Sequence, residues 1–158
     1  MKHEPVALDE SDRRLLRALQ KDASASQAEL AEEAGVSASQ VSRKMSRLKE
    51  EGVLRSVVGL LDAERAGLTL SAIIRVRLRD HGEANVKAFR AMLAIMPEAT
   101  LCVMITGESD YLLRLVARDL PHFQEIVQSK LLRCSAIAHV ESSIVLEVLK
   151  DTTELPLS

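Results

Sequence analysis

GVSASQVSRKMSRLKEEGV, running from Gly35 to Val53, decides how the first part of this chain folds. After the glycine, Ser37-Ala38-Ser39-Gln40 reads as a capping box that starts a helix. Val41, Met45 and Leu48 then recur at i, i+4 and i+7, one narrow buried face, and Gly52 stops the helix. Subtracting that face leaves Ser39, Gln40, Ser42, Arg43, Ser46 and Arg47 exposed, with Lys44 and Lys49 beside them. No acid stands between Ser37 and Lys49, although the chain carries a net charge of −2. An ordinary surface helix interleaves Glu with Lys. This run of cations points to an anionic partner instead.

Two more helix signals lie upstream. The first spans about Asp9 to Lys21, with Asp9 as cap, Asp12 suited to the positive first turn, and Leu15, Leu16 and Leu19 as its stripe. The second starts at the capping box Ser26-Gln27-Ala28-Glu29 and ends at Gly35. The short turn Ala34-Gly35-Val36-Ser37 joins it to the cationic helix, which is the layout of a helix-turn-helix. Small polar side chains and a Gln at the front of such a helix reach base edges in the major groove, and Arg and Lys behind them reach guanine or phosphates. The candidate DNA-binding residues are therefore Ser37, Ser39, Gln40, Ser42, Arg43, Lys44, Arg47 and Lys49.

Beyond Gly52, VLRSVVGLL (Val53 to Leu61) is β-branched and too short for a stable helix, so it reads as a strand. Asp62 to Gly67 then marks a domain boundary. From Ser71 the period becomes two: Ala72, Ile74, Val76 and Leu78 face one way, and Ile73, Arg75, Arg77 and Arg79 the other. A helix over about Glu83 to Met96, strands over Thr100 to Thr106 and Tyr111 to Ala117, a helix from Leu120 to Arg133 and a strand from His139 to Leu149 complete the order βαββαβ. That order predicts a ferredoxin-like layer with helices on one face. The open face is expected to carry Arg75, Arg77, Arg114, Glu141 and Glu147, with cross-strand Arg–Glu pairs. Met104, Val116 and Val145 are expected between them, a mixture suited to burial against a second subunit.

The bulk numbers set limits. A length of 158 residues, 47% hydrophobic and 28% charged, fits one domain or two small ones of a soluble globular protein. No apolar run is long enough for a membrane span, and MKHEPVALDESD has no apolar core for export, so a cytoplasmic location is expected. Cys102 and Cys134 lie far apart without neighbouring His or Cys at ligand spacing, so no metal is expected. One Tyr, two Phe and no Trp are too few rings for base stacking, and the central strands SAIIRVRLR and TLCVMIT hold none, so RNA is not the expected partner. The chain has no nucleophile elbow, phosphate-cradling glycine loop or paired catalytic carboxylates. An enzyme is not expected, and no cofactor.

Over nearly its whole length the chain resembles the leucine-responsive/asparagine regulators, the Lrp/AsnC family. LDESDRRLLRALQKDASASQAELAEEAGVSASQVSRKMSRLKEEGVL carries the match in the first half, TGESDYLLRLVA and SSIVLEVLKDTTELPL in the second. The resemblance implies an α+β fold: an N-terminal winged-type helix-turn-helix domain (residues 1–52), a linker strand and connection (53–67), a ferredoxin-like sensor domain (68–150) and a C-terminal tail (151–158). It implies a bacterial or archaeal, nucleoid-associated transcriptional regulator that binds double-stranded DNA, forms dimers or octamers, and responds to a small effector, usually an amino acid. The family's effector region corresponds here to Thr106, Gly107, Ser109, Asp110 and Tyr111, with Ser142 where relatives often have Thr. Asp110 is expected to accept from an ammonium, and backbone N–H groups of the glycine turn to hold a carboxylate. Relatives commonly have a Pro-Gly-Val turn where this chain has Cys134-Ser135-Ala136-Ile137, a change expected to reshape the pocket or the assembly contact. The alternative is an architectural protein that wraps DNA and senses nothing.

Overall fold

Each of the first three helices starts on a capping box. In the computed structural model, which describes residues 4–157, Asp9 caps α1 (Glu10–Lys21), Ser26 caps α2 (Gln27–Ala34) and Ser37 caps α3 (Ala38–Glu50). Gly35 ends α2 at φ 68°, a left-handed conformation that side chains disfavour. Leu15, Leu16 and Leu19 of α1 pack with Leu30, Ala31 and Ala34 of α2 and with Val41 and Leu48 of α3. Met45 is only partly buried at the margin of that cluster.

The chain divides into two compact units. The first contains these helices up to Leu60 and also the segment from Lys150 onward. That segment is tied to α1: Gln20 Nε2 donates to the Leu155 carbonyl (3.3 Å), Leu155 N–H donates to Gln20 Oε1 (2.6 Å), and Arg17 Nη1 donates to the Leu157 carbonyl (3.2 Å). Leu157 packs on the helical core. The C-terminal tail expected over residues 151–158 falls within that segment. The expected domain ends at residues 1–3 and 158 lie outside the described residues.

The linker strand expected over Val53 to Leu61 is absent. Val53 and Leu54 pack on the helical core, but no residue from 53 to 61 joins a sheet. β-branched composition favours an extended backbone, but a strand also needs a neighbour for its N–H and C=O groups. Within the described part of the first unit no strand provides one, so the helix-turn-helix has no paired wing here.

The second unit, Leu61–Leu149, follows the order βαββαβ. Its elements are β1 (Leu70–Leu78), α4 (Glu83–Ala94), β2 (Ala99–Met104), β3 (Tyr111–Ala117), α5 (Leu120–Ile126) and β4 (Ile137–Ile144). α5 runs into a π-helical turn, Val127–Leu131. The sheet is antiparallel in the order β2-β3-β1-β4. Ala72, Ile74, Val76 and Leu78 of β1 and Tyr111, Leu113, Leu115 and Ala117 of β3 face Phe89, Phe123, Ile126 and Leu131.

Three expectations for this sheet change. β4 begins at Ile137 rather than His139 and stops at Ile144, so Glu147 lies beyond it. Met104 pairs with Tyr111 and therefore shares the helix-side face, while Leu101 and Val103 point to the open face; an irregularity between Ala99 and Leu101 resets the register. Of the expected Arg–Glu pairs, Arg75 faces Glu141 at 3.7 Å, whereas Arg114 Nε donates to Thr100 Oγ1 at 3.1 Å.

Candidate nucleic-acid interface

The outward stripe of α3 follows from helical geometry. Residues two apart on a helix lie about 200° apart. Ser39, Arg43 and Ser46 repeat the spacing of Val41, Met45 and Leu48 two positions earlier, so they occupy the opposite face. All three are exposed, as are Ser42 and Lys49. Among the described residues, no hydrogen bond or ion pair engages the side chain of Arg43 or Lys49.

The remaining candidates have partners within the unit. Ser37 N–H donates to Gln40 Oε1 (2.8 Å) and Ser37 Oγ accepts from Gln40 N–H (3.3 Å), so the amide oxygen of Gln40 is occupied in the cap and its NH₂ is the end left for other contacts. Ser39 Oγ lies 3.1 Å from Ser37 Oγ. Ser42 Oγ accepts from Gln27 Nε2 of α2 at 3.1 Å.

Lys44 and Arg47 turn toward α1. Lys44 Nζ donates to Asp12 Oδ1 (2.8 Å) and Asp9 Oδ2 (2.9 Å). Arg47 Nη2 donates to Asp12 Oδ2 (2.6 Å), and its Nη1 reaches Glu51 Oε2 at 3.2 Å. Asp12 is 1% exposed. Burial alone pushes its carboxyl up, but the hydrogen bonds from Arg47 and Lys44 outweigh that and hold it below its ordinary range. The Lys44 hydrogen bond, followed by that of Ser11, holds Asp9 far below its ordinary value.

In the second unit Thr106, Gly107, Ser109 and Asp110 lie in the loop between β2 and β3, Tyr111 opens β3, and Ser142 lies in β4. Gly107 takes φ 118° in the loop between β2 and β3, a conformation suited to glycine. Asp110 is already engaged: its Oδ2 accepts Leu78 N–H (2.7 Å), its Oδ1 lies 3.2 Å from His81 Nε2, and its own N–H donates to the Val76 carbonyl (2.9 Å). Tyr111 is buried against Phe89 with ring centroids 4.6 Å apart. Ser142 pairs with Ile74 on β4, at the far edge of the sheet from β2. The Cys134–Ile137 turn is tied to Arg79, whose N–H and Nε donate to the carbonyls of Ala136 and Ser135. His139 sits opposite Arg77 and is exposed.

Comparison with known proteins bears on both units. The model described as "Winged helix-turn-helix DNA-binding" matches residues 8–55, and that described as "Lrp/AsnC ligand binding domain" matches residues 71–155. The chain belongs to the Lrp/AsnC family. Among this family's members it is 36% identical to the leucine-responsive regulatory protein of Rhizobium meliloti (strain 1021) over 152 residues, 96% of this chain and 97% of that one. It is 32% identical to the DNA-binding transcriptional activator DecR of Escherichia coli (strain K12), over 95% of this chain and 99% of the relative. A transcriptional regulator of Neisseria meningitidis, solved as its L-Met complex, superposes with a TM-score of 0.91 and 34% identity, covering 96% of this chain and 97% of that structure. The family consists of transcriptional regulators with a helix-turn-helix DNA-binding part and a ligand-binding domain.

For this Lrp/AsnC regulator, reading the sequence alone overlooked Asp9, Asp12 and Gln27 as the partners that orient α3. A signal for Asp12 was present. With Leu15, Leu16 and Leu19 it falls on one face of α1, and an acid within an apolar stripe implies a cation brought from elsewhere. Among the described residues no group of His, Cys, Asp and Glu could hold a metal ion, and no helix is long and apolar enough to cross a membrane.

Proposed function

We propose that this chain regulates transcription by reading a specific duplex sequence with the outward stripe of α3, under control of a small amino-acid effector bound by the second unit. The observation that carries the reading is the unpartnered Arg43, centred between Ser39 and Ser46 on the face opposite the core. Ser39, Ser46 and the free NH₂ of Gln40 address base edges, Arg43 addresses guanine, and Lys49 with the Ser37 end of the helix addresses phosphates. Exposed Val57, Val58, Leu60 and Leu61 in the connection, and exposed Leu101 and Val103 on the sheet, support assembly into a dimer or a larger oligomer such as an octamer in the cytoplasm. In a dimer, half-sites lie about one helical turn, ~34 Å, apart.

The L-Met complex of the Neisseria regulator supports an amino-acid effector. Because Asp110 is occupied by Leu78 and His81, the loop contributes its Thr106, Gly107 and Ser109 groups more readily than the Asp110 carboxylate. Ser142 joins the site only where another copy brings its β4 to the loop. Selection of binding sites from randomised duplexes, repeated in the presence of each amino acid, tests both parts. A recovered consensus whose affinity shifts with one amino acid is expected. Equal affinity for selected and random duplex overturns sequence reading, and a consensus indifferent to every amino acid overturns the effector assignment. Arg43→Ala is expected to relax the consensus at its guanine positions.

A further inference from the structure

α3 displays four cations, yet its flank toward α1 is not electropositive. Two of them, Lys44 and Arg47, face Asp9, Asp12 and Glu51, so two positive charges meet three negative ones. Two of the three Lys44 donors are used and its side chain is 17% exposed. Both nitrogens at the Arg47 fork are occupied, one by Asp12 and one by Glu51. Moving either cation onto a phosphate would leave Asp12, which water does not reach, with only one cation and the Asp9 N–H as partners.

We propose that Asp12 is a positioning residue for DNA recognition: by holding Lys44 and Arg47 against α1 it withdraws half of α3's positive charge from the duplex and leaves Arg43 and Lys49 to make the cationic contacts. The inference rests on the reading that α3 faces DNA. Two consequences follow for binding. Non-specific affinity is kept low because fewer phosphates are neutralised. Selectivity rests on Arg43, set among Ser39 and Ser46, instead of on a broad basic surface.

The test is the salt dependence of binding by the full chain to a random-sequence duplex, followed by fluorescence anisotropy over a range of KCl concentrations. Each phosphate contact contributes about 0.9 to the slope of log K against log salt. Lys44→Gln and Arg47→Gln are expected to keep the wild-type slope. Arg43→Ala and Lys49→Ala are each expected to flatten it by about 1. Asp12→Asn, which keeps shape but loses charge, removes the carboxylate that Lys44 and Arg47 share, leaves each with one exposed acid (Asp9 and Glu51), and is expected to steepen the slope by about 1–2 and raise affinity for random duplex at low salt. A merely structural role for Asp12 would not steepen it. Flattening by Lys44→Gln or Arg47→Gln alongside Arg43→Ala and Lys49→Ala overturns the role of Asp12 alone. No effect of Arg43→Ala and Lys49→Ala overturns the DNA-facing reading of α3 and the proposal with it. A thermal melt by circular dichroism establishes that each variant is folded at the assay temperature. A folded Asp12→Asn with the wild-type slope overturns the proposal, and if that variant is unfolded, Lys44→Gln and Arg47→Gln decide.

Discussion

Asp12 is the buried charged residue of the described chain, and its stability contribution depends on pH in a direction the structure dictates. Because the hydrogen bonds of Arg47 and Lys44 lower its folded pKa despite burial, the contribution is complete above the ordinary carboxyl value of about 4 and is lost as pH falls through the lower folded value. Asp9, lowered chiefly by Lys44, adds in the same sense. Asp12→Asn is expected to destabilise the first unit by about 1–3 kcal/mol at neutral pH. Thermal melts of wild type and variant should converge as the buffer is taken below pH ~4; parallel curves across that range would show that the carboxylate is not the source. The cationic run of α3 was plain in the sequence, but which cations stay free was not. That is decided by an acid 32 residues away from Lys44, a separation at which side-chain spacing on one helix carries no information.

At the level of elements, local chemistry and tertiary context divided the outcome. The starts of α1, α2 and α3 were legible because a capping box is a contact between residues three apart, satisfying orphan N–H groups without help from the rest of the fold. Ser37→Ala should therefore lower unfolding stability by about 1 kcal/mol, read from the shift of the urea midpoint at constant slope. Gly35→Ala should cost about 1–2 kcal/mol through backbone conformation alone, since an added Cβ meets nothing nearer than Arg14 Nη1 at 3.8 Å. A Gly35→Ala variant as stable as the parent would mean that the turn relaxes out of the left-handed region. The strand expected from Val53 to Leu61 and the overextended β4 failed for the opposite reason. Strand formation is settled by a neighbour, and neither Val57-Val58 nor Leu146–Leu149 has one in the sheet. The loop between β2 and β3 was legible as a glycine turn. The commitment of Asp110 to the Leu78 N–H was not, because it depends on how two hairpin ends meet.

For the whole molecule, the notable feature is that the first unit is discontinuous in sequence. Removing residues 150–158 deletes the Gln20–Leu155 and Arg17–Leu157 hydrogen bonds and the packing of Leu157. That truncation is expected to lower the stability of the helical unit by roughly 2 kcal/mol while leaving the βαββαβ core intact. Hydrogen exchange of α1 against that of β1 and β3 would separate the two effects, and equal acceleration in both would refute it.

The same discontinuity fixes how the chain is threaded. The polypeptide passes from one unit to the other after Leu60 and returns after Leu149, so two covalent leads run between them. One cut between residues 60 and 61 therefore leaves residues 1–60 held to the rest of the chain only by the non-covalent grip of the returning segment on α1.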